Sequence, residues 1–502
     1  AARTSALLID LVDDPKERAA RRRDAAVLLA ERGQGKQAAA LIDQALAENP
    51  HDEEALLVLC ELPDKVVDKK ALKARLARTL PELDNNDSAP ASRVRAKLWE
   101  RLGALQRKRD AAAARASFEK AVALDPDRLP AREALVGLYG SAPEHAEAAA
   151  ETHRRLLAAD VTRTDSLRAL AASFSRRGLV DRARCCYEVL ALLGAATGEE
   201  NAYLQTHPAP ELKPDDPYGG TLDDHDRKTH LAPPEATFMA EVFSSLWDGA
   251  PGLVGAGPPL ESFGVSAQDK ISPMSDLDLG KIYGQVAKAL GNKKTALYLR
   301  RGGEGDDGEN VALVVHAPPA LVVAGRLAEG APAAEVRFEL ARGLELSRPE
   351  YILAAGIKPR QFTQLFGNVL KAFHPRHARR RAADGGVDPA GELKKNVPYK
   401  VAKRLVELFQ EQGTTSWSSV RWRTVVQQSG NRAGLLLCGD LKTAVRLVLN
   451  GGATTKEYPG AELRALVATN EALAELLRFA ISEDYFLLRE KLGTALASAA
   501  AA

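Results

Sequence analysis

Apolar residues return in the first 195 positions at the three-and-four spacing of amphipathic helices, in paired runs broken by short polar turns. Between 160 and 194 the buried-face candidates are Leu167, Leu170, Ala171, Phe174, Ala183, Tyr187 and Leu190, with Gly178 in the turn. Large and small residues alternate there, as two short helices in contact require. Trp99, Leu102 and Gly103, then Ala114, Phe118, Ala121 and Pro126, form a second such pair. A further pair ends in Ala38, Ile42, Ala45 and Pro50, and a weaker one runs through Leu135, Tyr139 and Ala148 to Asp160. Pro126 and Asp160 lie 34 positions apart, which keeps one register. Pro50 and Pro126 lie 76 apart, so 53–90 is expected to hold a distorted helical pair with an inserted loop near Asn85, Asn86 and Asp87.

These spacings resemble the tetratricopeptide repeat (TPR), a helix-turn-helix unit of about 34 residues. The resemblance implies about five stacked helix pairs over 1–195, forming a right-handed solenoid with a concave groove for a peptide or partner helix. A spacer or self-association arm is the plainer alternative. Neither implies catalysis.

From Ala195 the helical spacing stops. Pro208, Pro210, Pro214, Pro217, Gly219 and Gly220 stand in an acidic stretch, so 196–234 is expected to be a linker. His225 and His230 lie there among aspartates at no zinc-site spacing, and a solvated loop is expected. Residues 235–497 are expected to form an α+β domain, and 498–502 is an alanine-rich tail. Helices are expected at 238–247 and 277–290, followed by short strands at 296–299, 311–315 and 320–323 in a small antiparallel sheet. The glycine-rich segment 302–308 reads as a hairpin loop, since its acidic residues would repel a phosphate. The expected fold class is therefore mainly α, a solenoid followed by an α+β domain.

A helix at 333–346 carries Phe338-Glu339-Leu340-Ala341-Arg342, and a later one carries Gln427 and Asn431 before an apolar run. Paired strands, a helix and then a distant second helix in this order resemble the HtpX-like zinc peptidases. That family has HExxH on the first helix and ExxxD on the second. Carried onto this chain, the histidines fall on Phe338 and Arg342, the glutamate on Glu339, the third zinc ligand on Gln427 and the aspartate on Asn431. An aromatic ring, a guanidinium and an amide replace all three ligands, so the resemblance implies a pseudopeptidase without zinc or other cofactor. Glu339 is expected to pair with Arg342 or Arg337. The alternative is an unrelated domain in which Phe338, Leu340 and Leu344 are core.

Composition narrows the function classes. Of 502 residues 45% are hydrophobic, and 69 Lys plus Arg against 67 Asp plus Glu leave a formal charge of +2, which excludes a chain that mainly neutralises phosphate. Basic function must be local. Lys371 to Arg381 holds such a segment, with Arg376, Arg379, Arg380 and Arg381 as a candidate patch for an acidic partner. Nucleic-acid binding there is disfavoured by the lack of interleaved aromatics, and a contact with the acidic stretch 211–226 stays open. Trp417 and Trp422 read as packing residues. Cys60, Cys185, Cys186 and Cys438 make no disulfide framework, so a reducing, cytoplasmic location is expected. No apolar run is long enough to span a bilayer, and the start at Ala1 is that of a processed chain or a fragment.

The resulting expectation is a non-catalytic scaffold or adaptor in a large bacterial assembly, binding other proteins and possessing the option of self-association through its repeats. Richness in Ala and Arg with two Met is associated with GC-rich genomes. Two rivals stand beside it. One is a peptidase whose metal site is rebuilt from His225, His230, His316 or His374, and the other is a nucleic-acid binder using Arg376 to Arg381.

Overall fold

The computed structural model describes residue 9 and residues 12–85, 93–140, 142–250, 258–301, 310–375, 388–411, 417–451 and 456–498. It divides into two compact units, Ala1–Ala159 and Asp160–Ala502.

The first unit contains α1 (Pro15–Glu31), α2 (Gly35–Glu48), α3 (Glu53–Glu61), α4 (Lys69–Asp84), α5 (Arg93–Gln106), α6 (Ala111–Leu124), α7 (Leu129–Tyr139) and α8 (Ala146–Ala159). Aspartates start four of these helices, because a carboxylate just before a helix accepts its orphan N–H groups: Asp14, Asp52, Asp68 and Asp110 all do so. Consecutive helices α1 and α2, α5 and α6, and α7 and α8 pack as hairpins, while α3 and α4 both lean on α5. Trp99, Leu102, Ala114, Phe118 and Ala121 are all buried in this core, and Pro126 sits in the exposed turn after α6. Gly103 is required by contact. A Cβ there would lie 2.9 Å from the Phe118 ring, so only glycine lets α5 and α6 approach. Of the loop expected near Asn85, Asn86 and Asp87, Asn85 caps the end of α4, and Asn86 and Asp87 lie outside the described residues.

The expected fifth pair exists as α9 (Thr164–Arg176) and α10 (Val180–Leu192), yet it belongs to the second unit. Its partners explain why. Asp181 on α10 forms a buried bidentate pair with Arg489 at 2.8 and 2.9 Å, and Phe174 meets Phe486 edge to face. Gly178 takes φ +69° in the turn, Leu170, Phe174 and Ala183 are fully buried, and Tyr187 is half-buried against Tyr203. We expect Ala183→Leu to overpack this pair and cost about 1 to 3 kcal/mol in urea unfolding; a loss below about 0.5 kcal/mol would place Ala183 away from the tight contact. Cys185 and Cys186 are buried, and burial pushes the Cys185 thiol up to about 12.

Residues 196–234 differ from a solvated linker. They hold α11 (Gly198–Thr206), started by a Thr197–Glu200 capping box, and then lie along the second unit with Tyr218, Leu222, Arg227 and Leu231 buried. The prolines and glycines there shape a packed extended path: the Tyr218 hydroxyl donates to Leu437 O and accepts from Arg337 Nη1 at 3.0 Å. Composition alone cannot distinguish such a strap from a tether, because both need residues that avoid helix.

The rest of the unit comprises α12 (Thr237–Gly249), β1 (Lys270–Ile271), α13 (Asp278–Ala289), β2 (Ala296–Leu299), β3 (Val311–Val314), β4 (Ala320–Val323), α14 (Ala333–Leu346), α15 (Ile352–Gly356), α16 (Pro359–Phe373), α17 (Pro389–Asn396), α18 (Tyr399–Glu411), α19 (Ser419–Cys438), α20 (Leu441–Asn450), α21 (Gly460–Thr469), α22 (Glu471–Ala480) and α23 (Glu483–Leu492), besides single turns. The sheet is mixed, not antiparallel throughout. Its order is β1-β2-β4-β3, with β2 and β4 parallel and the other two pairs antiparallel. The hairpin return from β3 brings β4 into the middle, where every residue is buried, which accounts for its unbroken apolar run. One face of the sheet meets Val265 and Phe263, and the other rests on α14, where a Cβ at Gly343 would touch Leu321 at 3.0 Å.

Helix α14 is the centre of the unit, with eleven of its fourteen residues buried. Its buried carboxylates are all paired with arginines. Glu345 accepts from Arg227 at 2.9 Å and Arg348 at 3.0 Å, and Glu335 is held by Arg446 and Arg326. Trp422 on α19 is fully buried and stacked 6.0 Å from Phe243, and Trp417 packs against Phe238, as packing residues should.

Candidate functional site

Helices α14 and α19 form the most intimate helix contact of the second unit, and glycine makes it possible. A Cβ at Gly434 would stand 2.7 Å from the Phe338 ring, and one at Gly430 would stand 3.1 Å from Arg342 Cγ. Phe338 and Arg342, four residues apart on one face of α14, thus lie over Gly434 and Gly430, four apart on α19. Phe338 is 1% exposed and serves as core, and Asn431 is likewise buried.

One helical turn further along α19 the contact opens. The Arg342 Nη2 donates to Gln427 Oε1 at 2.7 Å, and its Nη1 lies 3.7 Å from Glu339 Oε2. Arg342 is thus the partner of Glu339, while Arg337 turns away to Tyr218 and to the carbonyl of Lys213. Arg342, Gln427 and Glu339 line a cleft of about 800 Å³ together with Arg423, Lys358 and the outer side of β3. Three of the five motif positions therefore share a cavity, and two are buried in the helix packing beside it. Its charged lining among the described residues is Arg342, Arg423 and Lys358 against Glu339.

Arg423 escaped the sequence reading, although it stands four residues before Gln427 and hence on the same helical face. Lys358 was also missed, because only the chain's return after α15 brings it to this place. The cleft shows what chemistry its groups can do. Guanidinium and ammonium groups recognise carboxylates and other anions, and the amide of Gln427 is already engaged by Arg342.

The histidines of the alternative metal site stand apart from this cleft. His225 and His230 have ring centroids 6.3 Å apart, and His230 Nδ1 contacts Asp484 at 2.7 Å. His374 packs on Phe409, and His316 is exposed after β3. Among the described residues no group of three or more His, Cys, Asp or Glu could hold a metal ion. Arg376, Arg379, Arg380 and Arg381, like the loop 302–308, lie outside the described residues. No helix among the described residues is long and apolar enough to cross a membrane. Compared with protein-family models the chain matches none, and no curated protein matches it.

Proposed function

We propose that this chain is a non-catalytic scaffold or adaptor of the TPR type, working in the cytoplasm within a larger bacterial multiprotein assembly. Its helical pairs take up a peptide or a partner helix, and its second unit is a pseudopeptidase. The observation that carries this reading is the 2.7 Å hydrogen bond from Arg342 to Gln427. Two positions that would have to grip one metal ion instead grip each other, and a guanidinium beside the site opposes any divalent cation. Exposed edges of paired helices that need no chemistry of their own suit a binding role, and the four cysteines are all free, which fits a reducing compartment.

Elemental analysis of the full chain, purified with zinc supplied throughout, tests the reading together with a casein hydrolysis assay. The expected result is zinc well below one ion per chain and no cleavage. About one zinc per chain with cleavage abolished by a chelator would overturn it.

A further inference from the structure

We propose that the cleft of the second unit binds an extended, carboxylate-bearing segment of a partner protein, added as a strand to the open edge of β3 with its acidic side chain held by Arg342, Arg423 and Lys358. This goes beyond the reading above, which places a partner on the helical pairs.

The first observation is the strand edge. β3 ends the sheet order, and among the described residues no strand pairs with its outer side. The Ala324 N–H donates to Asn310 O, and Ala312 stands opposite Val322, so residues 310, 312 and 314 make the bonded pairs with β4. The N–H and C=O of Val311 and Leu313 consequently point outward. That outward side is a wall of the cleft, and an added strand would lie about 4.8 Å from it.

Charge is the second observation. Arg423 and Lys358 make no ion pair with any described residue, and the Nε of Arg342 is buried without a hydrogen-bond partner. Lys358 also precedes the first turn of the fifteen-residue α16, whose positive helix end favours an anion near the same wall. The third is direction. Val311 Cγ1 lies 3.4 Å from the Cβ position of Gly343, so this face of the sheet looks onto α14. Alternate side chains of an added strand project from the same face, toward the helix that carries Arg342.

A blocked, fluorescein-labelled peptide of sequence Thr-Val-Glu-Val-Thr, titrated with the full chain at low salt and read by anisotropy, tests this. The expected result is at least about tenfold tighter binding than the Gln counterpart, weakening as salt is raised. Arg423→Gln and Lys358→Gln should each erase most of that preference while leaving the Gln peptide unaffected. N-methylation of the peptide backbone, which leaves the protein untouched, should abolish binding at alternate amides and spare those between. Equal affinity for the Glu and Gln peptides, a flat N-methyl series, or no binding at about 1 mM protein would each overturn the proposal. Binding with these preferences followed by cleavage supports this site and overturns the non-catalytic reading, so the two can fail separately.

Discussion

Asp181→Ala should destabilise the second unit by about 3 to 5 kcal/mol, because it leaves a guanidinium buried without its counter-charge. The Arg489 side chain is 1% exposed and donates to both Asp181 oxygens at 2.8 and 2.9 Å. Its other contacts, the Thr494 carbonyl at 2.8 Å, the Tyr485 hydroxyl at 3.5 Å and the Tyr485 ring at 5.4 Å, are neutral and cannot replace the carboxylate. Asp181 also accepts from the Leu496 N–H, so its loss loosens the end of the chain as well. Urea unfolding followed by tryptophan fluorescence measures the effect, since Trp247, Trp417 and Trp422 all belong to this unit. Replacing the pair together, Asp181→Ala with Arg489→Met, should recover most of the loss. A single-variant cost below about 1 kcal/mol would mean that water reaches Arg489.

Glu345→Gln should produce a loss of similar size that depends on pH. Burial pushes the Glu345 carboxyl up, but Arg227 and Arg348 outweigh it and hold the group below its ordinary value of 4.5. A folded-state value below the unfolded one means that the charged form favours folding. Its contribution is complete above the unfolded value and disappears as pH falls through the folded one. The gap in melting temperature between wild type and Glu345→Gln should therefore be widest near neutral pH and close progressively below about 4.5. A gap that stays constant from pH 7 to pH 3 would show that Glu345 acts through shape and not through charge.

Both predictions concern charges that looked ordinary in the sequence. Arginine and glutamate on a helix usually face water, and nothing near Arg227 or Glu345 in the chain marks them as a buried pair 118 positions apart. The same holds for Asp181 and Arg489. Helices were legible for the opposite reason, since their signals are local: α14 falls where it was expected, and Gly103 stands at a helix contact and Gly178 in a turn, as the spacing around them suggested. The candidate site was half legible. Glu339, Arg342 and Gln427 were singled out only through the resemblance to the zinc peptidases, whereas Arg423, Lys358 and the open edge of β3 join them only when the chain folds back.

Local periodicity and turn chemistry thus determined the helical pairs before residue 195, the helices α12, α13 and α14 and the three longer strands, because those features depend on residues within a few positions of one another. Tertiary structure alone decided that β4 lies inside the sheet, that 196–234 is packed and not a tether, and that the last helical pair joins the second unit. Each of these depends on which distant surface is available to bury an apolar face or neutralise a charge, and that information belongs to the assembled core.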